Sequence, residues 1–189
     1  MARKAGYKRI AGVDEAGRGP LAGPVVAGAV ILREGVPLEG VTDSKKMTEK
    51  ARTEAFSLIS HDALAVSLGV VSPAFIDRHN ILRASLEAMR RAVLSLDPPP
   101  DFLLVDGLQK VPVPIPQKCL KKGDQRSLSI SAASVMAKVY RDRIMCSFHS
   151  SYPMYGFDTN KGYGTAVHRE ALRIYGPCPI HRMTFRGVR

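Results

Sequence analysis

The sequence feature that most restricts the fold is Val25–Leu32, a run of eight residues without a polar or charged side chain. A strand that is apolar at every position has no face left for water, so we expect it inside a sheet covered on both faces. A further strand is predicted at 9–15, and the glycine- and proline-rich segment 16–24 is predicted to form the turn between the two. This pattern indicates an α/β domain, because helices must supply the covering layers.

Short apolar runs predict three more strands, at Ala63–Val71, Phe102–Asp106 and 113–120. The last is expected at a sheet edge, because its prolines cannot donate to ladders on both sides. Apolar residues three or four apart predict helices that follow Thr48 and Asn80, a long helix from about Ser127 and a further helix at 165–174. The order β, β, α, β, α, β, β and then helices predicts one domain, 1–189, with a mixed central sheet. We expect an α/β core over about 1–150 and a helical C-terminal extension over about 151–189.

Charge is distributed unevenly along the chain, which carries 28 Lys and Arg against 17 Asp and Glu, a net charge of +11. Residues 1–106 hold 14 basic and 13 acidic residues, whereas residues 107–189 hold 14 and 4, a net charge of +10. An excess of this kind indicates a polyanionic partner, either nucleic acid or an acidic membrane surface.

Several classes of protein are excluded by composition. The longest uncharged apolar stretch, 20–32, contains two prolines and is too short to span a bilayer. No signal-peptide core follows the basic N terminus. The three cysteines form no C-x-x-C pair, which argues against a zinc site and favours a reducing compartment. We therefore expect a cytoplasmic protein without a membrane partner, and a monomer, because no surplus apolar stripe is evident.

Acidic residues stand at positions where acids are costly. Asp14 and Glu15 end the first apolar strand, Asp106 ends the strand Phe102–Asp106, and Asp124 precedes the long helix. Regular strand geometry points Asp14 and Glu15 to opposite faces, so both converge only at a strand end or a bulge. Carboxylates at the strand ends of an α/β sheet share a crevice and repel one another unless a cation neutralises them. Hard oxygen ligands select Mg²⁺ or Mn²⁺, and two such ions about 4 Å apart promote phosphodiester hydrolysis.

Residue types and spacing leave other interpretations open. Each acid could instead be a helix cap, a turn residue or half of an ion pair. The segment Gly17-Arg18-Gly19 could be an ordinary tight turn, or a backbone that approaches a ribose closely enough to read its 2′-OH. Tyr163, between two glycines, could be a core residue or a substrate contact.

A series of sequence blocks resembles bacterial ribonuclease HII, in the same order over nearly the whole chain. The blocks are Asp14-Glu-Ala-Gly-Arg-Gly-Pro-Leu-Ala-Gly-Pro-Val-Val, Asp43-Ser-Lys-Lys, Leu104-Val-Asp-Gly, Lys122-Gly-Asp, Ser129-Ile-Ser-Ala-Ala-Ser-Val-Met-Ala-Lys-Val-Tyr-Arg-Asp, Tyr152-Pro-Met-Tyr-Gly-Phe, Lys161-Gly-Tyr-Gly-Thr, His168 and His181-Arg. The resemblance implies an RNase H-like fold, with a mixed central sheet flanked by helices. It also implies a metal-dependent endoribonuclease that cleaves RNA in RNA–DNA hybrids and at single ribonucleotides embedded in duplex DNA. The implied products carry 5′-phosphate and 3′-hydroxyl ends, and the implied roles are ribonucleotide removal and RNA primer degradation.

The resemblance also assigns residues to roles. It implies that two divalent ions, Mn²⁺ or Mg²⁺, are bound by four catalytic acids, Asp14, Glu15, Asp106 and Asp124. It implies that the ribose 2′-OH and the RNA-to-DNA junction are recognised by the backbone of Gly17, Arg18 and Gly19 and by the ring of Tyr163. Candidate phosphate contacts, with solvated surface lysines as the alternative, are Lys45, Lys46 and Lys122. Docking on a replication clamp is not evident, because no long tail follows the His181-Arg block.

Two other functions stay open at this point: a non-catalytic basic module that binds nucleic acid, and a nuclease of the same fold with another substrate. Asp142 is expected to pair with Lys138, four residues earlier on the long helix. His168 and His181 are expected to be satisfied structural histidines, with metal ligation or proton transfer as the alternative.

Overall fold

A computed structural model describes residues 2–35, 44 and 47–189. The strands are β1 (Ile10–Ala16), β2 (Val25–Leu32), β3 (Ala63–Val71), β4 (Phe102–Asp106) and β5 (Gln117–Leu120). The α-helices are α1 (Glu49–Asp62), α2 (Pro73–His79), α3 (Ile81–Leu94), α4 (Leu128–Ser151), α5 (Phe157–Asn160) and α6 (Ala166–Tyr175). Single turns of 3-10 helix lie at Arg3–Ala5, Gly123–Gln125 and Pro153–Tyr155.

Side-chain caps mark where most of the predicted helices begin. Thr48 accepts a hydrogen bond from the N–H of Ala51, and Asn80 accepts one from the N–H of Arg83, so both predicted starts are confirmed. Helix α2 was not predicted from the sequence. It is capped by Ser72 and has a single fully buried side chain, which is too little for an apolar period to reveal it.

The five strands form one mixed sheet in the order β3-β2-β1-β4-β5. Strand β1 is antiparallel to β2 and parallel to β4, and β4 is parallel to β5. The prediction of an edge strand at 113–120 is confirmed in position but not in length. Pairing begins only at Gln117, because Pro114 and Pro116 have no N–H to donate.

Helices cover both faces of the sheet, as the apolar run of β2 requires. Helix α3 packs on one face over the largest apolar cluster, and α4 with α1 covers the other. Helix α4 approaches the sheet very closely, because two of the sheet residues beneath it are glycines. A Cβ at Gly28 would lie 2.4 Å from the carbonyl oxygen of Ala133, and one at Gly12 would lie 2.1 Å from the backbone of Ser129.

A third apolar cluster joins the C-terminal region to the segment between β1 and β2. Leu21 and Ala22 of that segment pack with Phe157, Leu172 and Ile180. The division of the chain at about residue 150 stays a prediction, since these contacts run across it. Within the described part of the chain, no helix combines the length and apolar character needed to cross a bilayer.

We predict that Gly69→Ala destabilises the fold by about 2–3 kcal/mol through overpacking. A Cβ at this position in β3 would lie 2.0 Å from the carbonyl oxygen of Ala88 in α3, where backbone cannot yield easily. Urea unfolding at pH 7 measures the change in the free energy of unfolding. The exposed variant Arg83→Ala, also in the α3 layer, is the control and should change that energy by less than about 0.5 kcal/mol. Equal stability of the two variants would contradict the close contact.

Candidate active site

Two acids are brought together by the ends of neighbouring parallel strands. Val13 of β1 lies opposite Val105 of β4, so Asp14 and Asp106 follow side by side at the carboxyl ends of these strands. Adjacent strands are about 4.8 Å apart, which places the two carboxylates within strong electrostatic reach. This pairing confirms that the two acidic strand ends meet at one edge of the sheet.

Asp14 is buried against helix α4, with only 6% of its surface exposed. It lies opposite Gly28 in the sheet, on the face that α4 covers. Burial raises the pKa of the Asp14 carboxyl well above its ordinary value, and the negative charges of Glu15 and Asp106 raise it further. Hydrogen bonds from the Ser134 side chain and from the N–H of Glu15 act in the opposite direction without cancelling the rise. The site therefore holds a carboxylate that lacks a compensating positive charge.

Glu15 stays at the same edge of the sheet as Asp14, near the end of β1. Burial is the main cause of its raised pKa, and the charge of Asp106 contributes to the rise. Arg18 opposes the rise by forming an ion pair, with 3.2 Å between Nη1 of Arg18 and Oε1 of Glu15. β1 is paired with β2 through Ala16 without a register shift, so β1 has no strand end or bulge at these two acids, and regular geometry directs their side chains to opposite faces. The charge of Asp106 nevertheless acts on both.

Asp124 reaches this edge through the 3-10 turn that follows β5. The N–H of Gly123 donates to Oδ1 of Asp106 at 2.6 Å, so the residue before Asp124 is fixed to the end of β4. Asp124 itself is buried. Lys122 precedes this turn in a left-handed conformation, with φ at 54°, and its side chain is exposed. The candidate phosphate contact Lys122 therefore lies at the rim of the acidic edge.

The donor chemistry of this edge fits a hard divalent cation. Carboxylate oxygens are the ligands that Mg²⁺ and Mn²⁺ prefer. Burial is the main cause of the raised pKa of Asp14 and of Glu15, and the negative charge of Asp106 adds to both. Among the described residues, no three Asp, Glu, His or Cys side chains are arranged closely enough to hold a metal ion already.

The turn 16–24 is held in shape by two buried arginines that the sequence interpretation did not single out. Arg182 donates to the carbonyl oxygens of Gly17 and Arg18, at 2.6 and 3.0 Å. Arg141 donates to the carbonyl oxygens of Ala22 and Pro24, each at 3.0 Å. Helical phase could have identified Arg141, because it lies four residues from the buried side chains of Ala137 and Met145.

Gly17 and Gly19 have different reasons to be glycine. Gly17 has φ at 94°, and a Cβ there would lie 2.1 Å from Nε of Arg141. Gly19 is open, and the nearest atom to a Cβ at that position is Cε1 of Tyr163, at 3.9 Å. The two segments are also joined directly, since the N–H of Leu21 donates to the carbonyl oxygen of Gly162 at 2.8 Å. The turn and Tyr163 are therefore neighbours across an open gap.

Tyr163 is a surface residue, with 44% of its area exposed, so the core interpretation is wrong. Lys138 and Arg141 lie near its ring, at 5.8 and 6.0 Å from the ring centre. The expected pair of Lys138 with Asp142 is confirmed, with Nζ 2.9 Å from Oδ1. Lys45 and Lys46 lie outside the described residues.

His168 and His181 form a buried relay, which supports the structural interpretation of both. Nδ1 of His181 accepts from the N–H of Cys178 at 2.9 Å, so its proton lies on Nε2. That nitrogen is 3.0 Å from Nε2 of His168, whose own proton therefore lies on Nδ1 and is donated to the carbonyl oxygen of Tyr163 at 2.9 Å. Each ring nitrogen has one role, and no ring nitrogen is left for a metal ion.

Comparison with known proteins agrees with these features. A family model described as ribonuclease HII matches residues 11–188. A ribonuclease HII of Geotalea daltonii is 58% identical over 189 residues, which cover 100% of this chain and 88% of that protein. The crystal structure of ribonuclease H2 from Pyrococcus horikoshii is similar, with a TM-score of 0.85 and 29% identity, over 96% of this chain and 95% of that one. Ribonuclease HII of Archaeoglobus fulgidus, whose structure is a complex with PCNA, matches with a TM-score of 0.81 and 26% identity, over 95% and 96%.

We predict that the histidine relay makes folding stability fall in mild acid. Burial, together with the charge of His168, lowers the pKa of His181 to about 4 in the folded protein. The unfolded chain, with an ordinary pKa of about 6.5, takes up the proton first as the pH falls. The stability from this group is complete above that pH and is lost toward pH 4, by about 2 kcal/mol between pH 7.5 and 5.

Urea unfolding of the wild type and of His181→Asn across this pH range measures the effect. The difference in unfolding free energy between the two proteins should shrink as the pH falls. The control is His61→Asn, which removes an exposed histidine at the end of α1 and should leave the pH profile unchanged. A constant difference between wild type and His181→Asn would show that His181 does not titrate as described.

Proposed function

Because the chain belongs to the ribonuclease HII family and is a type II ribonuclease H, we propose that it hydrolyses RNA in RNA–DNA hybrids and single ribonucleotides embedded in duplex DNA. We propose that it acts in the cytoplasm as a monomer, in ribonucleotide removal and RNA primer degradation, and leaves 5′-phosphate and 3′-hydroxyl ends. The observation that carries this proposal is the placement of the Gly17-Arg18-Gly19 turn between the acidic edge and Tyr163.

The acidic edge is suited to hold the divalent metal on which this family of nucleases depends. The residues that would bind it are Asp14, Glu15, Asp106 and Asp124. When bound there, divalent ions would lower the pKa of the attacking water and would stabilise the leaving 3′ oxygen. The protein supplies the positions of the acids: parallel pairing aligns Asp14 with Asp106, and the bond from Gly123 to Asp106 brings in Asp124. The proposed divalent ion is Mn²⁺ or Mg²⁺.

Backbone N–H groups of the turn that have no acceptor within the described residues support ribose recognition. Its carbonyl oxygens at Gly17 and Arg18 are occupied by Arg182. Within the described residues, the N–H groups of Arg18 and Gly19 have no protein acceptor. A 2′-OH can accept from such donors, whereas a deoxyribose offers no oxygen at that position. The ring of Tyr163 is next to Gly19, where it can pack on the adjoining deoxyribose.

The ion pair between Arg18 and Glu15 connects recognition to catalysis. The backbone of Arg18 belongs to the ribose-reading turn, and its side chain contacts an acid of the proposed metal site. A ribose held at the turn would therefore place its 5′ phosphodiester beside the acids. We propose that the exposed side chain of Lys122 contacts the phosphate backbone. Lys45 and Lys46 are proposed as further phosphate contacts from the sequence.

We predict that Asp14→Asn lowers cleavage about 100-fold or more, because metal ions supply several kcal/mol of transition-state stabilisation. The same variant should be as stable as the wild type or up to about 1 kcal/mol more stable in chelator, since a repelled buried carboxylate is removed. A gel assay with Mn²⁺ or Mg²⁺ measures cleavage of duplex DNA that contains one ribonucleotide. Thermal unfolding with chelator measures stability.

The assay includes an all-DNA duplex, an RNA–DNA hybrid and single-stranded RNA as alternative substrates. The control variant is Glu54→Gln, an exposed acid on α1 that should leave cleavage unchanged. Full activity of Asp14→Asn would refute the metal assignment. Cleavage of single-stranded RNA in preference to the embedded ribonucleotide would indicate a same-fold nuclease with another substrate.

The basic C-terminal region should carry part of the salt dependence of binding. Arg169 of α6 is exposed and its Nε lies 3.3 Å from where a Cβ of Gly164 would be, next to Tyr163. Arg173 on the same helix is paired with Glu170, at 2.7 Å. Arg169→Gln should reduce the slope of log K against log salt by about 1, whereas Arg173→Gln should reduce it less.

Fluorescence anisotropy with the embedded-ribonucleotide duplex, in the Asp14→Asn background without metal, measures these slopes between 50 and 200 mM salt, roughly the range over which phosphate contacts dominate. An unchanged slope for both arginine variants would place the duplex elsewhere on the protein. A larger loss for Arg173→Gln would mean that its ion pair opens on binding.

A further inference from the structure

His181 and Arg182 are adjacent residues whose side chains enter two different parts of the candidate site. Their backbone runs beside the turn. His181 forms an isolated antiparallel β-bridge with Ala22, and the N–H of Arg182 donates to the carbonyl oxygen of Leu21 at 2.9 Å. Successive side chains of an extended segment point in opposite directions. Both are buried, with 2% and 0% of their surface exposed.

The Arg182 side chain determines the geometry of the turn from behind. Its guanidinium donates to the carbonyl oxygens of Gly17, Arg18 and Gly23, at 2.6, 3.0 and 3.0 Å. A hydrogen bond at a carbonyl oxygen polarises the peptide group, and the N–H on its other side becomes a stronger donor. Those N–H groups belong to Arg18 and Gly19, the donors proposed above to read the ribose.

Stability alone does not account for a guanidinium at this position. Burial, with the nearby charge of Arg141, lowers the pKa of Arg182 to about 9, which reflects the cost of placing the cation there. Within the described residues it forms no ion pair, and a well-packed apolar side chain commonly replaces such a buried charge without loss. What an apolar side chain cannot supply is a planar set of donors that holds three carbonyl groups at once.

The His181 side chain acts on Tyr163 through the relay. It contacts His168, and His168 donates to the carbonyl oxygen of Tyr163 at 2.9 Å. The same carbonyl oxygen accepts from the N–H of Thr165 at 2.8 Å, so the backbone on which the Tyr163 ring is carried is held from two sides. Rings of Tyr155 and Phe157 pack against the two histidines, which are both buried.

We infer that His181 and Arg182 are positioning residues that fix the gap between the ribose-reading turn and Tyr163. The inference rests on the proposed function. The two adjacent residues therefore fix the distance between the turn and Tyr163. A ribose bound at the turn and the following deoxyribose bound at Tyr163 are then recognised together. Arg182 acts on recognition of the ribose itself, and His181 acts on the choice of the RNA-to-DNA junction.

The test uses duplex DNA in which four consecutive ribonucleotides are embedded, a length that offers the enzyme several ribose linkages and one RNA-to-DNA junction. His181→Phe keeps a ring but breaks the relay; it should spread cleavage from the junction to the other ribonucleotides, with at least a threefold fall in the junction share. Arg182→Lys keeps the charge but not the planar donors. It should raise KM about tenfold for every ribonucleotide linkage and leave the distribution of cuts unchanged.

The control is Tyr155→Phe, which loses a hydrogen bond to the carbonyl oxygen of Gly176 in the same cluster. It should lower the melting temperature without changing KM or the position of cleavage, as a merely structural role predicts. His168→Asn, which retains a donor toward Tyr163, should restore part of the junction preference that His168→Leu loses. Melting curves establish that each variant is folded under assay conditions.

If Arg182→Lys does not fold, Asp77→Ala takes its place. Asp77 of α2 accepts from the N–H groups of Met183 and Thr184, both at 3.0 Å, and so anchors the segment next to Arg182 from outside the site. This variant should raise KM about threefold. Wild-type KM and cut positions in every folded variant would overturn the inference. A wild type that cuts without regard to ribonucleotides or junctions would instead overturn the proposed function.

Discussion

The close approach of α4 to the central sheet is the contact on which the rest of the site depends. Gly12 and Gly28 carry no Cβ, and the helix backbone therefore lies directly on β1 and β2. At this distance Ser134 reaches the buried carboxylate of Asp14, and two turns further along the same helix Arg141 reaches the carbonyl groups of the turn. One rigid element thus contacts both the acidic edge and the turn 16–24, so their separation is a property of the fold.

Negative charge is concentrated at the acidic strand ends, whereas most of the excess positive charge lies in residues 107–189. Burial raises the pKa of Asp14 and of Glu15, and repulsion from Asp106 raises both further, while Arg18 offsets part of the rise at Glu15. The net +10 of residues 107–189 does not relieve that repulsion: Arg141 and Arg182 are directed at backbone carbonyl groups. The negative charge of the acidic edge thus suits the proposed divalent ion, and the exposed side chains of Arg169 and Lys122 suit the proposed contacts with phosphate.

Local pattern was enough to predict most of the fold from the sequence. The bounds of β2, β3 and β4 follow from apolar runs, and the helix starts follow from Thr48 and Asn80, since these signals lie within a few residues of one another. The acids at the two strand ends could be placed at one edge for the same reason. The side-chain contacts that fix the turn 16–24 could not be predicted from the sequence. Gly17 and Arg182 are 165 residues apart, and no periodicity encodes a bond between a backbone oxygen and so distant a side chain.

The distant contacts change the interpretation of the C-terminal region. From its composition, this region is expected to be a basic extension that binds a nucleic-acid duplex. Its buried residues instead complete the turn near the N terminus: Ile180 and Arg182 bond to the backbone of Gly23 and Leu21, and Gly162 bonds to Leu21. A turn of glycine and proline has little apolar surface of its own to keep one conformation. The conformation of the Gly17-Arg18-Gly19 backbone therefore depends on contacts with the last part of the chain and not on the local Gly-Arg-Gly sequence alone.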